Sequence, residues 1–164
     1  MAMQLLTDMN RVLVTGGAGF IGGAVVRRLL LSSKVKVFNL DKIGYASNLK
    51  SIDQIIGASK RDLSQRYELV KADLTNYQVT EEAINYAKPD LIIHLAAESH
   101  VDRSIESPHE FIQSNINGTY NLLYSSLKYW NKLTNKSKDR FRFIHVSTDE
   151  VFGTLGPKGK FDEA

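Results

Sequence analysis

Short apolar runs alternate along the chain with longer stretches in which apolar residues recur three and four positions apart. The short runs are Arg11-Val-Leu-Val-Thr15, Val35-Lys-Val-Phe-Asn-Leu-Asp41, Tyr67-Glu-Leu-Val-Lys-Ala-Asp73, Asp90-Leu-Ile-Ile-His-Leu-Ala96 and Phe141-Arg-Phe-Ile-His-Val-Ser147. Their Val, Ile and Leu content predicts strands covered on both faces, as in a parallel sheet. Phe20 to Leu31, Leu49 to Ala58, Thr75 to Ala87 and Pro108 to Trp130 carry helical spacing, and Pro108 suits a helix start. Strand and helix in alternation predict βαβ units. Right-handed crossovers then give an α/β fold, a doubly wound parallel sheet with its ligand at the C-terminal ends of the strands.

The first strand-to-helix junction reads Thr15-Gly16-Gly17-Ala18-Gly19-Phe20-Ile21-Gly22. Between a strand and a helix, Gly16 allows the tight turn, Gly19 lets backbone approach a pyrophosphate, and Gly22 lets the helix pack close to the strand. The helix N-terminus faces the anion with free N–H groups and the positive end of its dipole. Asp41 ends the second strand about 20 residues further on, where a carboxylate accepts from a ribose 2′-hydroxyl and repels a 2′-phosphate. That favours NAD over NADP, although Lys42 next door is a cation that could tolerate a phosphate. A turn cap is the competing role for Asp41. Asp73, at the end of the third strand, either touches the adenine edge or caps the following helix.

With 164 residues, 43% of them hydrophobic, the chain is the size of one domain with a core of its own, and the absence of Cys removes disulfides, thiolate nucleophiles and Cys-bound metal. No stretch approaches the roughly 18 apolar residues of a membrane span, and no leader pattern opens the chain, so a cytoplasmic protein without a membrane partner is expected. The net charge of +3 invites a nucleic-acid reading. Its distribution argues against one: Lys128, Lys132, Lys136, Lys138, Arg140 and Arg142 are interleaved with Asn, Thr and Ser, as in a solvated connection. His94 and His145 sit inside predicted strands and read as core or near-core imidazoles, with no spacing that makes a metal site. Tyr124, Tyr129 and Trp130 read as packing or interface residues.

Thr148-Asp149-Glu150 follows the fifth strand, where two adjacent carboxylates in unlike environments could serve as an acid and a base, or simply be solvated. Together with the glycine spacing, Asp41-Lys-Ile-Gly-Tyr-Ala-Ser-Asn-Leu49, His94-Leu-Ala-Ala-Glu-Ser-His-Val-Asp-Arg-Ser104, Phe111-Ile-Gln-Ser-Asn-Ile-Asn-Gly-Thr-Tyr120 and Ser147-Thr-Asp-Glu-Val-Phe-Gly153 resemble the N-terminal half of the dTDP-glucose 4,6-dehydratase family, among the extended short-chain dehydrogenase/reductases. The likeness spans nearly the whole chain. Its departures are Gly44, Ser47, Ser114 and Phe152, none of them a residue that carries the chemistry.

The resemblance implies a Rossmann fold truncated after its fifth strand, so that residues 1–164 form an NAD-binding domain without the C-terminal, sugar-nucleotide-binding part. It implies NAD as cofactor, held by Gly16, Gly19, Phe20, Ile21, Gly22, Asp41, Lys42, Asp73, Leu74, Leu95, Ala96, Ala97 and Ser114, with Asn115 nearby. It implies dTDP-glucose as substrate, touched by Ser99 in the loop with His100, and by Thr148. The reaction it implies oxidises sugar C4, removes water across C5 and C6 and returns the hydride at C6. Glu150 is then the base at C5, Asp149 the acid for the C6 hydroxyl, and Thr148 the partner of the C4 oxygen. It implies a homodimer for the complete enzyme. The first step there uses a Tyr-x-x-x-Lys pair after the fifth strand; Tyr124 and Lys128 have that spacing but lie upstream of it. Two rivals stand beside this reading: a dehydratase for another nucleotide sugar such as UDP-glucose, and an NAD-binding module without catalysis.

Overall fold

The computed structural model describes residues 9–59, 62–156 and 158–162, with the Glu150 side chain outside the description. Five parallel strands form one sheet in the order β3-β2-β1-β4-β5: β1 Arg11–Thr15, β2 Lys36–Asp41, β3 Tyr67–Lys71, β4 Leu91–His94 and β5 Arg142–His145. The order reverses beside β1, so the loops after β1 and β4 diverge and leave a crevice at the carboxyl edge.

Alternation along β1 shows how both faces are covered. Val12 and Val14 point to one side and pack with Val26, Leu29 and Leu30 of α1 (Phe20–Ser32) and Ile52 of α2 (Lys50–Ala58). Leu13 points to the other and packs with Phe38, Leu40 and Ile92 against Ala83, Ile84 and Ala87 of α3 (Tyr77–Ala87). The expected double cover fails at β5. Ile144, level with Ile93 of β4, is 43% exposed, and Val146 is 48% exposed. His145, expected near the core, is likewise exposed and stacks on His94 with ring centroids 5.1 Å apart.

The fourth crossover also departs from expectation. The spacing predicts one helix over 108–130, but the chain turns helical at α4 (Val101–Glu106) and breaks at Ser107. It restarts at α5 (Pro108–Phe111), widens to π geometry over Ile112–Gly118 and continues as α6 (Thr119–Asn131). Pro108 does sit in the first turn of α5. The widened turn lets buried Gly118 pass close to Leu74, where an added Cβ would lie 3.2 Å from the Leu74 Cβ. The basic stretch runs from the end of α6 to β5, and the connection between them contains a short helix, α7 (Asn135–Arg140). Its Arg140 pairs with Asp90 at 2.9 Å, and Asp90 also accepts from the N–H groups of Asn10 and Arg11.

His94 is a buried polar residue whose bonds are all made. Thr15 Oγ1 lies 3.3 Å from the N–H groups of both Leu95 and Ala96, which leaves its proton for His94 Nδ1 at 2.7 Å. The imidazole is thereby neutral, with its proton on Nε2 facing Thr119 Oγ1 at 2.9 Å. Burial, with the nearby His145 adding, pushes its pKa down to about 4. The unfolded chain binds this proton below about 6.5 and the native one only near 4, so stability is lost as pH falls through that window. At about 1.4 kcal/mol per pH unit, lowering pH from 7.5 to 4.5 should cost the native protein roughly 2–3 kcal/mol more than it costs His94→Gln. Urea melts at the two pH values check this; equal losses in both proteins would refute it.

Candidate functional site

The turn after β1 is built by close backbone approaches. Gly16 adopts φ +69°, donates to Leu40 O at 2.9 Å and accepts from the Gly19 N–H at 3.0 Å. A Cβ at Gly16 would lie 2.7 Å from the Cα and N of Ala96, and one at Gly22 would lie 2.1 Å from the Gly16 carbonyl oxygen. These two glycines let β1, the loop after β4 and α1 meet at one place. At Gly19 an added Cβ would meet only the Gly16 carbonyl oxygen, at 3.2 Å. α1 starts there with no side-chain cap and no acidic residue in its first turn, and Phe20 and Ile21 are exposed. Its N-terminal N–H groups therefore face open space, which is what an incoming phosphate requires.

Asp41 takes the turn-capping role weighed for it. It is 7% exposed; Oδ2 accepts from the Ala18 N–H at 3.0 Å, and Oδ1 accepts from the Ile43 N–H and the Ser47 hydroxyl at 2.8 and 3.0 Å. It thus locks the glycine turn to the turn after β2. Ile43 is held at φ +58°, a conformation costly for a β-branched residue. Beside it a hollow of roughly 450 Å³ is lined by Lys42, Ile43, Gly44, Lys71, Asp73 and Asn76, among others. Asp73 faces it but does not cap α3. Its Oδ1 accepts from the Thr75 N–H, and Asn76 is the cap, accepting from the Val79 N–H at 3.2 Å. Leu74, between Asp73 and Asn76, is 6% exposed, with its side chain packed in the core with Leu122.

Leu95 and Ala96 lie half-buried beneath the glycine turn, followed by exposed Ala97 and Ser99. Asn115, on the π-widened turn, grips this loop: its Oδ1 accepts from the Glu98 N–H at 2.8 Å and its Nδ2 donates to the Glu98 carbonyl at 2.9 Å. Ser114 is half-buried beside it. Thr148 and Asp149 are exposed in the segment leaving β5, with the Thr148 hydroxyl 3.3 Å from Asp149 Oδ1. The side chain of Glu150 lies outside the described residues. Lys128 does not address Tyr124: its Nζ lies 2.8 Å from Glu81 and 2.9 Å from the Tyr77 hydroxyl, and the Glu81 contact raises its pKa.

Sequence reasoning overlooks Thr15 and Thr119 and misses the clamp made by Asn115. A hydroxyl at the end of an apolar strand is the only local trace of the first; the partners of the rest lie too far along the chain to leave one.

A parallel sheet ordered 3-2-1-4-5, a glycine turn opening the first helix and an acid ending the second strand define a Rossmann-type dinucleotide-binding domain. Residues 13–164 match the family described as GDP-mannose 4,6 dehydratase, and the chain belongs to that family. It is 46% identical over 153 residues to a probable dTDP-glucose 4,6-dehydratase of Sinorhizobium fredii, covering 93% of this chain and 42% of the relative. It is 48% identical to a dTDP-glucose 4,6-dehydratase of Escherichia coli, covering 88% and 38%. Among solved structures, the dTDP-glucose 4,6-dehydratase of Bacillus anthracis in complex with NAD superposes with a TM-score of 0.72 at 32% identity, over 94% of this chain and 42% of that one. DesIV of Streptomyces venezuelae, a dTDP-glucose 4,6-dehydratase with NAD and TYD bound, gives 0.73 at 34% identity, over 92% and 43%. The chain thus spans about two fifths of the length of these relatives.

Proposed function

We propose that this chain is the NAD-binding part of a nucleotide-sugar 4,6-dehydratase acting on dTDP-glucose. The observation that carries the cofactor is the cradle itself: Gly16 and Gly22 sit where no Cβ fits, beneath an uncapped helix N-terminus. Backbone N–H groups of Phe20, Ile21 and Gly22 are suited to the pyrophosphate, with Gly19 leaving room for its approach, and Asp41 to the adenosine ribose with one Oδ2 lone pair still open. Lys42 and Asp73 border the adenine side. Leu95, Ala96, Ala97 and Ser114 line the approach toward β4, held in place by Thr15 and Asn115. When bound, NAD⁺ supplies the oxidant for sugar C4 and returns the same two electrons at C6.

The chain's own residues do the proton work. Thr148 hydrogen-bonds the C4 oxygen, Glu150 takes the proton from C5 once C4 is a ketone, and Asp149 delivers a proton to the departing C6 hydroxyl. Ser99 is placed to touch the sugar from the loop after β4. The 45–48% identity to dTDP-glucose 4,6-dehydratases favours thymidine nucleotide sugars over UDP-glucose. A homodimer is supported by the outer face of α6, where Tyr120, Leu123, Tyr124 and Leu127 are each at least 46% exposed. None of the helices among the described residues is long and apolar enough to cross a membrane; a cytoplasmic site of action follows from the substrate class.

Removing the C4 hydroxyl proton needs a base, and no Tyr-x-x-x-Lys pair of this chain is free to act as one after β5. Lys128, four residues beyond Tyr124, is committed to Glu81, and Tyr67 and Lys71 share the spacing only as the two ends of β3. Loss of a positioned general base lowers rates by about 10²–10⁴-fold. The 164-residue chain alone should therefore form no 4-keto-6-deoxy sugar from dTDP-glucose. Residues 1–164 joined to the C-terminal part of the Escherichia coli relative should form it and lose at least about 100-fold with Glu150→Gln. Product from the chain alone, or an active chimera indifferent to Glu150→Gln, would contradict the assignment.

A further inference from the structure

Lys42 poses a problem for cofactor choice. It follows Asp41 directly and lines the hollow at the end of β2, where a cation accommodates a 2′-phosphate. A lysine free to swing there would work against the carboxylate beside it. It is engaged, however: Lys42 Nζ lies 2.7 Å from Glu98 Oε1, across the carboxyl edge of the sheet.

The two partners are unequally anchored. The Glu98 side chain is 10% exposed and that of Lys42 41%. Glu98 is gripped at both its N–H and its carbonyl by the amide of Asn115, whereas Lys42 reaches the contact on a flexible four-carbon stem. The segment after β2 is met again from α4, where the Arg103 guanidinium lies 3.8 Å from the Tyr45 ring centroid. Burial pulls the Lys42 ammonium down, but hydrogen bonding to Glu98 and its charge outweigh that and raise it, with Asp73 and Glu110 adding at longer range.

We infer that Glu98 is a specificity-determining residue: by holding Lys42 it withholds from a 2′-phosphate the cation that would pair with it, and leaves the repulsion by Asp41 unopposed. The inference rests on the reading of the β2 end as the ribose site. It assigns to the loop after β4 a part in choosing between cofactors whose difference lies two strands away, at the end of β2. Glu98→Gln keeps the side chain's length and an acceptor for the ammonium, and removes the charge.

Fluorescence titration of the 164-residue chain with NADH and NADPH tests it. Glu98→Gln should tighten NADPH about tenfold, the equivalent of about 1.4 kcal/mol, and leave NADH within about twofold. In a Lys42→Gln background the same substitution should leave NADPH affinity unchanged. Equal changes for the two cofactors, or a gain that persists without Lys42, would show a loosened loop and overturn the role of Glu98. Failure of the unaltered chain to bind NADH would instead overturn the ribose site itself, and the inference with it.

Discussion

Gly22→Ala should lower the melting temperature by about 2–12 °C and weaken NADH binding at least about tenfold. Its new Cβ would stand 2.1 Å from the Gly16 carbonyl oxygen, 2.7 Å from the Gly16 carbonyl carbon and 2.8 Å from the Gly17 Cα. All three are backbone atoms, so no side chain can move aside. Either α1 tilts away from β1 or the turn opens, and overpacking of that kind costs about 1–3 kcal/mol, at about 2–4 °C per kcal/mol for a chain of this size. Both escapes displace the N–H groups that would face the pyrophosphate. Gly57→Ala is the matched control, because a Cβ there meets nothing within 4 Å and alanine favours the helix. Thermal melts and NADH titrations of the two variants should separate them clearly. A Gly22→Ala protein that melts and binds like the unaltered chain would show that the cradle is looser than these close approaches imply.

Asp41→Ala should weaken NADH about 10–100-fold and erase most of the preference over NADPH. Charge-assisted hydrogen bonds are worth about 1.5–3 kcal/mol, and the ribose would lose its acceptor along with the charge that repels a phosphate. The protein should also lose stability. Ala18, 1% exposed, would keep an N–H with no partner, and Ile43 would lose the acceptor that holds it at φ +58°. The buried N–H alone costs about 1–3 kcal/mol. Calorimetry with both cofactors, alongside urea melts, measures the two effects on one preparation. Unchanged discrimination in Asp41→Ala would transfer the choice of cofactor elsewhere.

The strands are legible in the sequence because each is an apolar run bounded by polar residues, and the order of helices and strands then allows few topologies. The glycine turn is legible for a related reason: its spacing has meaning only between a strand and a helix, and both flanks are plain. What escapes is whatever depends on partners distant in sequence. His94 reads locally as a histidine in a strand, and nothing near it announces Thr15 on one side and Thr119 on the other. Asn115 reads as one more polar residue on a helix until the π-widened turn brings it to the backbone of Glu98. The helical turn of α4 is missed because the spacing signal begins only at Pro108, the residue that suits a helix start. His145 shares the apolar flanks of His94 yet is exposed, since burial of a strand residue depends on what covers the strand, and β5 is an edge. The core packing of Leu74 against the passage of Gly118 is likewise invisible in its position after β3.

The central claim is that the chain is built around an NAD site with Asp41 at its ribose end. Calorimetric titration of the unaltered 164-residue chain with NADH and then with NADPH addresses it most directly. Saturable binding of one NADH per chain, at least about tenfold tighter than NADPH, is the expected result. No saturable binding of NADH, or NADPH bound as tightly, would contradict it.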